Sequence, residues 1–115
     1  MYTVDIHSNK ETTKDAISML EASIPFGRKD KDRILCLITG YGSTSGHGRI
    51  KETIIEILNS WVGSKIKDYL IGSELDIFNK RYQNCKYKDK LPKEESRYPN
   101  PGKIYIFLWK NRTKK

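Results

Sequence analysis

At 115 residues the chain has room for one domain around one core. It carries 22 Lys and Arg against 14 Asp and Glu, a net charge of +8, with only 37% hydrophobic residues. No apolar run approaches a membrane span, two cysteines make no disulfide framework, and four zinc ligands at finger spacing are absent, so these classes are excluded.

Residues 2–7 alternate: Tyr2, Val4 and Ile6 point one way, and Thr3, Asp5 and His7 the other, as in a half-buried strand. The early polar residues predict no signal peptide and a cytoplasmic protein. Thr12 followed by Asp15 reads as a capping-box-like helix start. Ala16, Ile17, Met19, Leu20, Ser23 and Ile24 supply the apolar face of that helix, and Pro25 and Gly27 are expected to end it. Residues 33–39 are near-continuously apolar and predict a central strand covered on both sides, with Cys36 inside it.

A glycine loop follows, with Gly40, Gly42, Gly46 and Gly48 among hydroxyl residues, His47 and the cations Arg49 and Lys51. Ile50, Ile54, Ile57, Leu58 and Trp61 then recur at helical spacing, so a second helix is expected from about residue 48 to 62, stopped by Gly63. Residues 66–71 read as a third strand. Residues 82–100 are polar, basic and proline-punctuated, and read as a long loop within a basic insertion at about 74–102. Lys103 to Trp109 alternates as a final strand. Its stripe of Tyr105, Phe107 and Trp109 either stacks bases on an open sheet face or forms core beneath the long loop. Residues 110–115 read as a frayed basic tail.

The order βαβαββ predicts an α/β fold of the α+β two-layer kind, a mixed four-stranded sheet with two helices on one face. Ligands of open α/β sheets gather beyond the carboxyl ends of strands. If the first two strands are neighbours, Asp5, His7 and the glycine loop converge there. A carboxylate and an imidazole two residues apart on one strand lie about 7 Å apart at the backbone, close enough to serve one substrate group. Histidine titrates near neutrality and is the natural proton carrier. An ordinary exposed pair at a strand end is the plain alternative.

The loop holds no Gly-x-x-x-x-Gly-Lys-Ser/Thr, and Ser45 stands where a dinucleotide motif needs its third glycine. An ATPase or dinucleotide site is therefore disfavoured. What remains is a backbone cradle for an oxyanion or phosphate at a helix start, with Arg49 and Lys51 beside it, or else a flexible connector. Asp5, His7 and His47 form only a weak metal set, since no second carboxylate sits at a readable spacing.

Val4-Asp5-Ile6-His7, the helix start at Thr12, Ile38-Thr39-Gly40-Tyr41-Gly42 and Gly48-Arg49-Ile50-Lys51 together resemble the Smr (small MutS-related) domain, over roughly residues 1–109. The resemblance implies a fold like the C-terminal domain of bacterial translation initiation factor three. It also implies nucleic-acid binding and, in many members, endonuclease activity. Asp5 and His7 match the first signature of that family, and Thr39, Gly40 and Gly42 match the second. The chain departs from the pattern at Ser8, where glycine is usual. Thr39 stands where histidine often opens the second signature, and Tyr41 replaces its second basic residue. The 74–102 segment is longer than the usual link.

The expectation is thus a nucleic-acid-binding domain cleaving phosphodiester bonds, in RNA more than DNA. Asp5 and His7 are its catalytic pair. Thr39, Gly40, Tyr41, Gly42, His47, Arg49, Lys51, Lys80, Arg81, Lys86 and Lys88 are its phosphate and nucleic-acid contacts. The alternative is a non-catalytic module docking on nucleic acid or the ribosome. No cofactor is expected, a divalent metal is left open, and no membrane partner is expected.

Overall fold

The computed structural model describes residues 1–6, 13–39 and 47–109. The expected helix cap at Thr12, His7, the loop at 40–46 and the tail at 110–115 lie outside the described residues. In chain order the elements are β1 (Tyr2–Asp5), α1 (Thr13–Lys29), β2 (Ile34–Ile38), α2 (His47–Trp61) and β3 (Asp68–Ile71). Then come a 3-10 turn (Gly72–Glu74), α3 (Lys80–Asn84), a second 3-10 turn (Lys88–Lys90), α4 (Lys93–Arg97) and β4 (Lys103–Phe107).

The four strands form one mixed sheet in the order β1-β2-β4-β3. β1 runs parallel to β2, with Asp5 opposite Ile38, and β4 runs antiparallel to both β2 and β3. The last of the described strands therefore lies between the second and third. Alternation decides which side chains face which layer. Val4, Ile6, Leu35, Leu37, Ile104 and Ile106 pack with Ala16, Leu20 and Ile24 of α1 and with Ile50, Ile54 and Leu58 of α2. Both long helices thus cover one face, the two-layer arrangement expected from the element order.

α1 does not end at Pro25 or Gly27, as expected, but runs through both to Lys29. Proline costs a helix the hydrogen bond to the carbonyl four residues back. Pro25 is on the exposed side, where the Glu21 carbonyl can be hydrated. Gly27 is a contact point and not a stop: a Cβ there would lie 2.6 Å from Leu108 Cδ1 and 3.0 Å from Leu35 Cβ. After Lys29 the chain turns at Asp30, whose amide donates to the Gly27 carbonyl at 3.1 Å. Burial alone would raise the Asp30 carboxyl, but the Met1 ammonium at 3.0 Å and the amides of Asp32 and Ile34 hold it below its ordinary value.

The opposite face carries the second correction. Residues 82–100, expected as a long loop, fold into α3, a 3-10 turn and α4, which close over the sheet. Leu75, Cys85 and Leu91 are buried there against Ile34, Cys36, Leu70, Tyr105 and Phe107. Of the aromatic stripe, Tyr105 and Phe107 are therefore core, and only Trp109 stays exposed. Cys36 and Cys85 are both buried free thiols. Burial pushes Cys36 up to about 11. Among the described residues no helix is long and apolar enough to cross a membrane.

Candidate functional site

The carboxyl ends of β1 and β2 lie side by side. Ile6 donates its amide to the Ile38 carbonyl at 3.0 Å, so the parallel ladder continues one step past Asp5. Val4 packs with the helix-side core, so Asp5 stands on the other face of the sheet, as the alternation predicts, and it is exposed. Thr3, in register with Cys36, shares that face. His7 and Gly40, Tyr41 and Gly42 lie outside the described residues. His47 and Arg49 belong to the first turn of α2, and their side chains also lie outside what is described.

Thr39, the residue after β2, is buried. Its amide donates to the Gly102 carbonyl at 2.7 Å, and its hydroxyl donates to the same oxygen at 3.2 Å. From α2, Lys51 Nζ donates to the Pro101 carbonyl at 2.6 Å. The turn closes on itself, since Asn100 Oδ1 accepts from the Gly102 amide at 2.8 Å. Gly72 supports it from below: a Cβ on Gly72 would fall 1.8 Å from the Asn100 carbonyl oxygen. The turn at 100–102 is thus the hub that fixes β2's exit, α2's first turns and β4's start. Sequence reasoning passed over it, although Asn-Pro-Gly is a turn signal with a physical basis in all three residues.

Beside the hub, in register with Ile38, stands Lys103. Its Nζ donates to Glu95 Oε1 at 3.1 Å, and the Tyr105 hydroxyl donates to the same oxygen at 2.5 Å. Burial would raise Glu95, but these two donors hold it below its ordinary value. Burial and the Glu95 charge together push the Tyr105 hydroxyl far up. This part-buried triad ties α4 to the sheet, and no sequence spacing announces it.

The expected cations of the covering segment are not gathered at this end. Arg81 pairs with Asp68 at 2.9 Å, donates to the Tyr69 carbonyl at 2.9 Å and lies 4.2 Å from the Tyr69 ring centroid. It therefore seals the outer edge of β3, the far side of the sheet from Asp5. Lys88 Nζ donates to the Gln83 carbonyl at 3.0 Å. Lys80 and Lys86 are exposed on the covering layer. A surface depression of about 380 Å³ lies within that layer, lined by residues including Leu75, Tyr82 and Ser96 and by none of the expected cations.

Among the described residues no group of three or more His, Cys, Asp or Glu could hold a metal ion. Chemically, the described strand ends present an exposed carboxylate, Asp5, beside the carboxyl end of β2. No family model, curated protein or solved structure matches the chain.

Proposed function

We propose that the chain is an Smr-type domain that binds nucleic acid and cleaves phosphodiester bonds, in RNA in preference to DNA. The observation that supports it most is the parallel β1–β2 pairing with Asp5 opposite Ile38. It sets Asp5 beside the carboxyl end of β2, the kind of place where open α/β sheets hold ligands. The exposed Asp5 orients the imidazole of His7. His7 takes the proton from water or from a ribose 2′-hydroxyl, whose oxygen attacks the phosphorus. The leaving 5′-oxygen receives a proton as its bond to phosphorus breaks. Backbone N–H groups of Gly40 to Gly42, with Arg49, hold the phosphate and its developing charge.

A second reading, a binding module that does not cut, draws on one observation. The Thr39 hydroxyl and Lys51 ammonium donate to the carbonyls of Gly102 and Pro101, in structural roles. One experiment separates the two. Purified protein is incubated with labelled single-stranded RNA and with duplex DNA, alongside Asp5→Ala and His7→Ala. RNA shortening by the wild type, lost in both variants, is the expected result. Intact substrate in every lane, or equal cleavage by all three proteins, would reject the nuclease and leave the module.

A further inference from the structure

The end of the sheet away from Asp5 carries a second concentration of chemistry. Arg33 immediately precedes β2, Lys67 immediately precedes β3, and Trp109 follows β4. Backbone bonds lock the three together: Leu108 donates to the Arg33 carbonyl at 2.9 Å, and Lys67 donates to the Phe107 carbonyl at 2.8 Å. The Lys67 ammonium lies 5.4 Å from the Trp109 ring centroid and 5.1 Å from that of Tyr87. Lys90 ends the second 3-10 turn of the covering layer, three residues after Tyr87, whose carbonyl accepts from its amide at 3.0 Å. Burial, together with the positive charges of Lys90 and Arg33, holds the Lys67 ammonium below the usual lysine range.

The ion pairs among the described residues do not include Arg33, Lys67 or Lys90. Of the acids close to Arg33 and Lys67 in the chain, Asp30 and Asp32 face the Met1 ammonium and Asp68 pairs with Arg81; Asp89, next to Lys90, is exposed and joins none of these pairs. Three like charges so placed repel one another, and an anion between them relieves that repulsion. The backbone adds an independent observation. Arg33 has φ +54°, a left-handed conformation that glycine or asparagine adopts at lower cost. Arg33 thus bears a bulky side chain at a backbone position that favours glycine. Beside it, Trp109 is 39% exposed, a large aromatic left in water at the end of a buried strand.

We propose that Arg33, Lys67, Lys90 and the Trp109 ring form a docking platform for single-stranded nucleic acid, separate from the Asp5 end. The cations take phosphates, and the indole stacks on an unpaired base. A duplex hides its base faces, so the aromatic member selects single strands. The five residues of β2 separate the platform from Asp5 by roughly 17 Å, so only an oligonucleotide reaches both ends. The platform stands without cleavage at Asp5 and goes beyond it.

The test is fluorescence anisotropy with a labelled 2′-O-methyl oligouridylate, which offers no free 2′-hydroxyl for attack. Wild-type affinity should fall steeply with salt. Arg33→Gly suits the left-handed backbone, so its melting temperature should hold or rise while affinity drops several-fold. The slope of log affinity against log salt should shrink by about one for Arg33→Gly and for Lys90→Gln. Trp109→Leu should lose on the order of tenfold in affinity with the slope unchanged. Asp5→Ala should bind as the wild type does. Wild-type affinity in Arg33→Gly and Lys90→Gln, no loss in Trp109→Leu, or a duplex bound as tightly as the single strand would each overturn the platform. If the platform variants weaken binding while wild-type protein leaves RNA intact, the platform is supported and only the nuclease reading fails.

Discussion

The two faces of the sheet are closed by different means. On the helix face, α1 and α2 lay down Leu, Ile and Ala at helical spacing, and the core there is almost wholly aliphatic. On the other face the covering segment has no helix longer than five residues, and its core mixes Cys, Tyr and Phe with leucines. What holds that layer down is a small set of polar anchors: Glu95 on Tyr105 and Lys103, Arg81 on Asp68, and the Gly72–Asn100 contact. One face is secured by apolar area, which is additive and forgiving of single polar changes. The other is secured by pairings that fail one at a time.

The largest expected effect comes from emptying each core in turn. Leu37→Ala, fully enclosed on the helix face, should cost about 4–5 kcal/mol, and Leu91→Ala, at 8% exposure on the covering layer, about 2–3 kcal/mol. Urea unfolding measures both, and equal losses would show that the faces are equally consolidated. Gly72→Ala should come next, at about 1–3 kcal/mol, because its Cβ meets backbone and not a yielding side chain. Its counterpart Gly27→Ala, which meets the tip of Leu108, should cost less in the same assay.

Tyr105→Phe should remove about 1 kcal/mol and reshape the pH dependence. The folded Glu95 sits below its ordinary value of 4.5, so its contribution is full above that pH and is lost as pH falls through the depressed value. Tyr105 is raised above its ordinary value of 10.0, so its contribution is full below pH 10 and is lost as pH rises beyond it. The variant should therefore lose less stability on the alkaline side than the wild type, read from urea midpoints across pH. Smallest of all, Lys51→Met should cost under about 1 kcal/mol, since the part-buried Pro101 carbonyl can accept from water in place of the lost ammonium. An oligonucleotide affinity left unchanged in that variant would mark the lysine as an anchor of the turn alone.

The same contrast explains what could be read in advance. The apolar period of α2, the doubly buried β2 and the outward face of Asp5 are local patterns, and local patterns are legible. Pro25 and Gly27 misled because a breaker signal gave way to packing: a tertiary contact with Leu35 and Leu108 needs a glycine inside the helix. Residues 82–100 offered no period, and their structure depends on Tyr105, Phe107 and Asp68, distant in sequence. At the candidate site, the β-α-β connection made the neighbourhood of Asp5 and Thr39 foreseeable. The hub at 100–102 was signalled by Asn-Pro-Gly but not its partners. Arg81 looked like a free cation because Asp68, its partner, is thirteen residues away in the chain.

The strand order has a consequence for the chain while it is being made. Of the four described strands β4 is synthesised last, yet it lies between β2 and β3 and supplies every ladder bond on β3's inner edge. Until residue 107 has left the ribosomal tunnel, β3 has no neighbour, and neither buried layer has its central floor. The nascent chain can form α1 against β1 and β2, but the sheet closes in one late step. A polypeptide stopped just before Lys103 would expose two unpaired strand edges, the condition that invites aggregation.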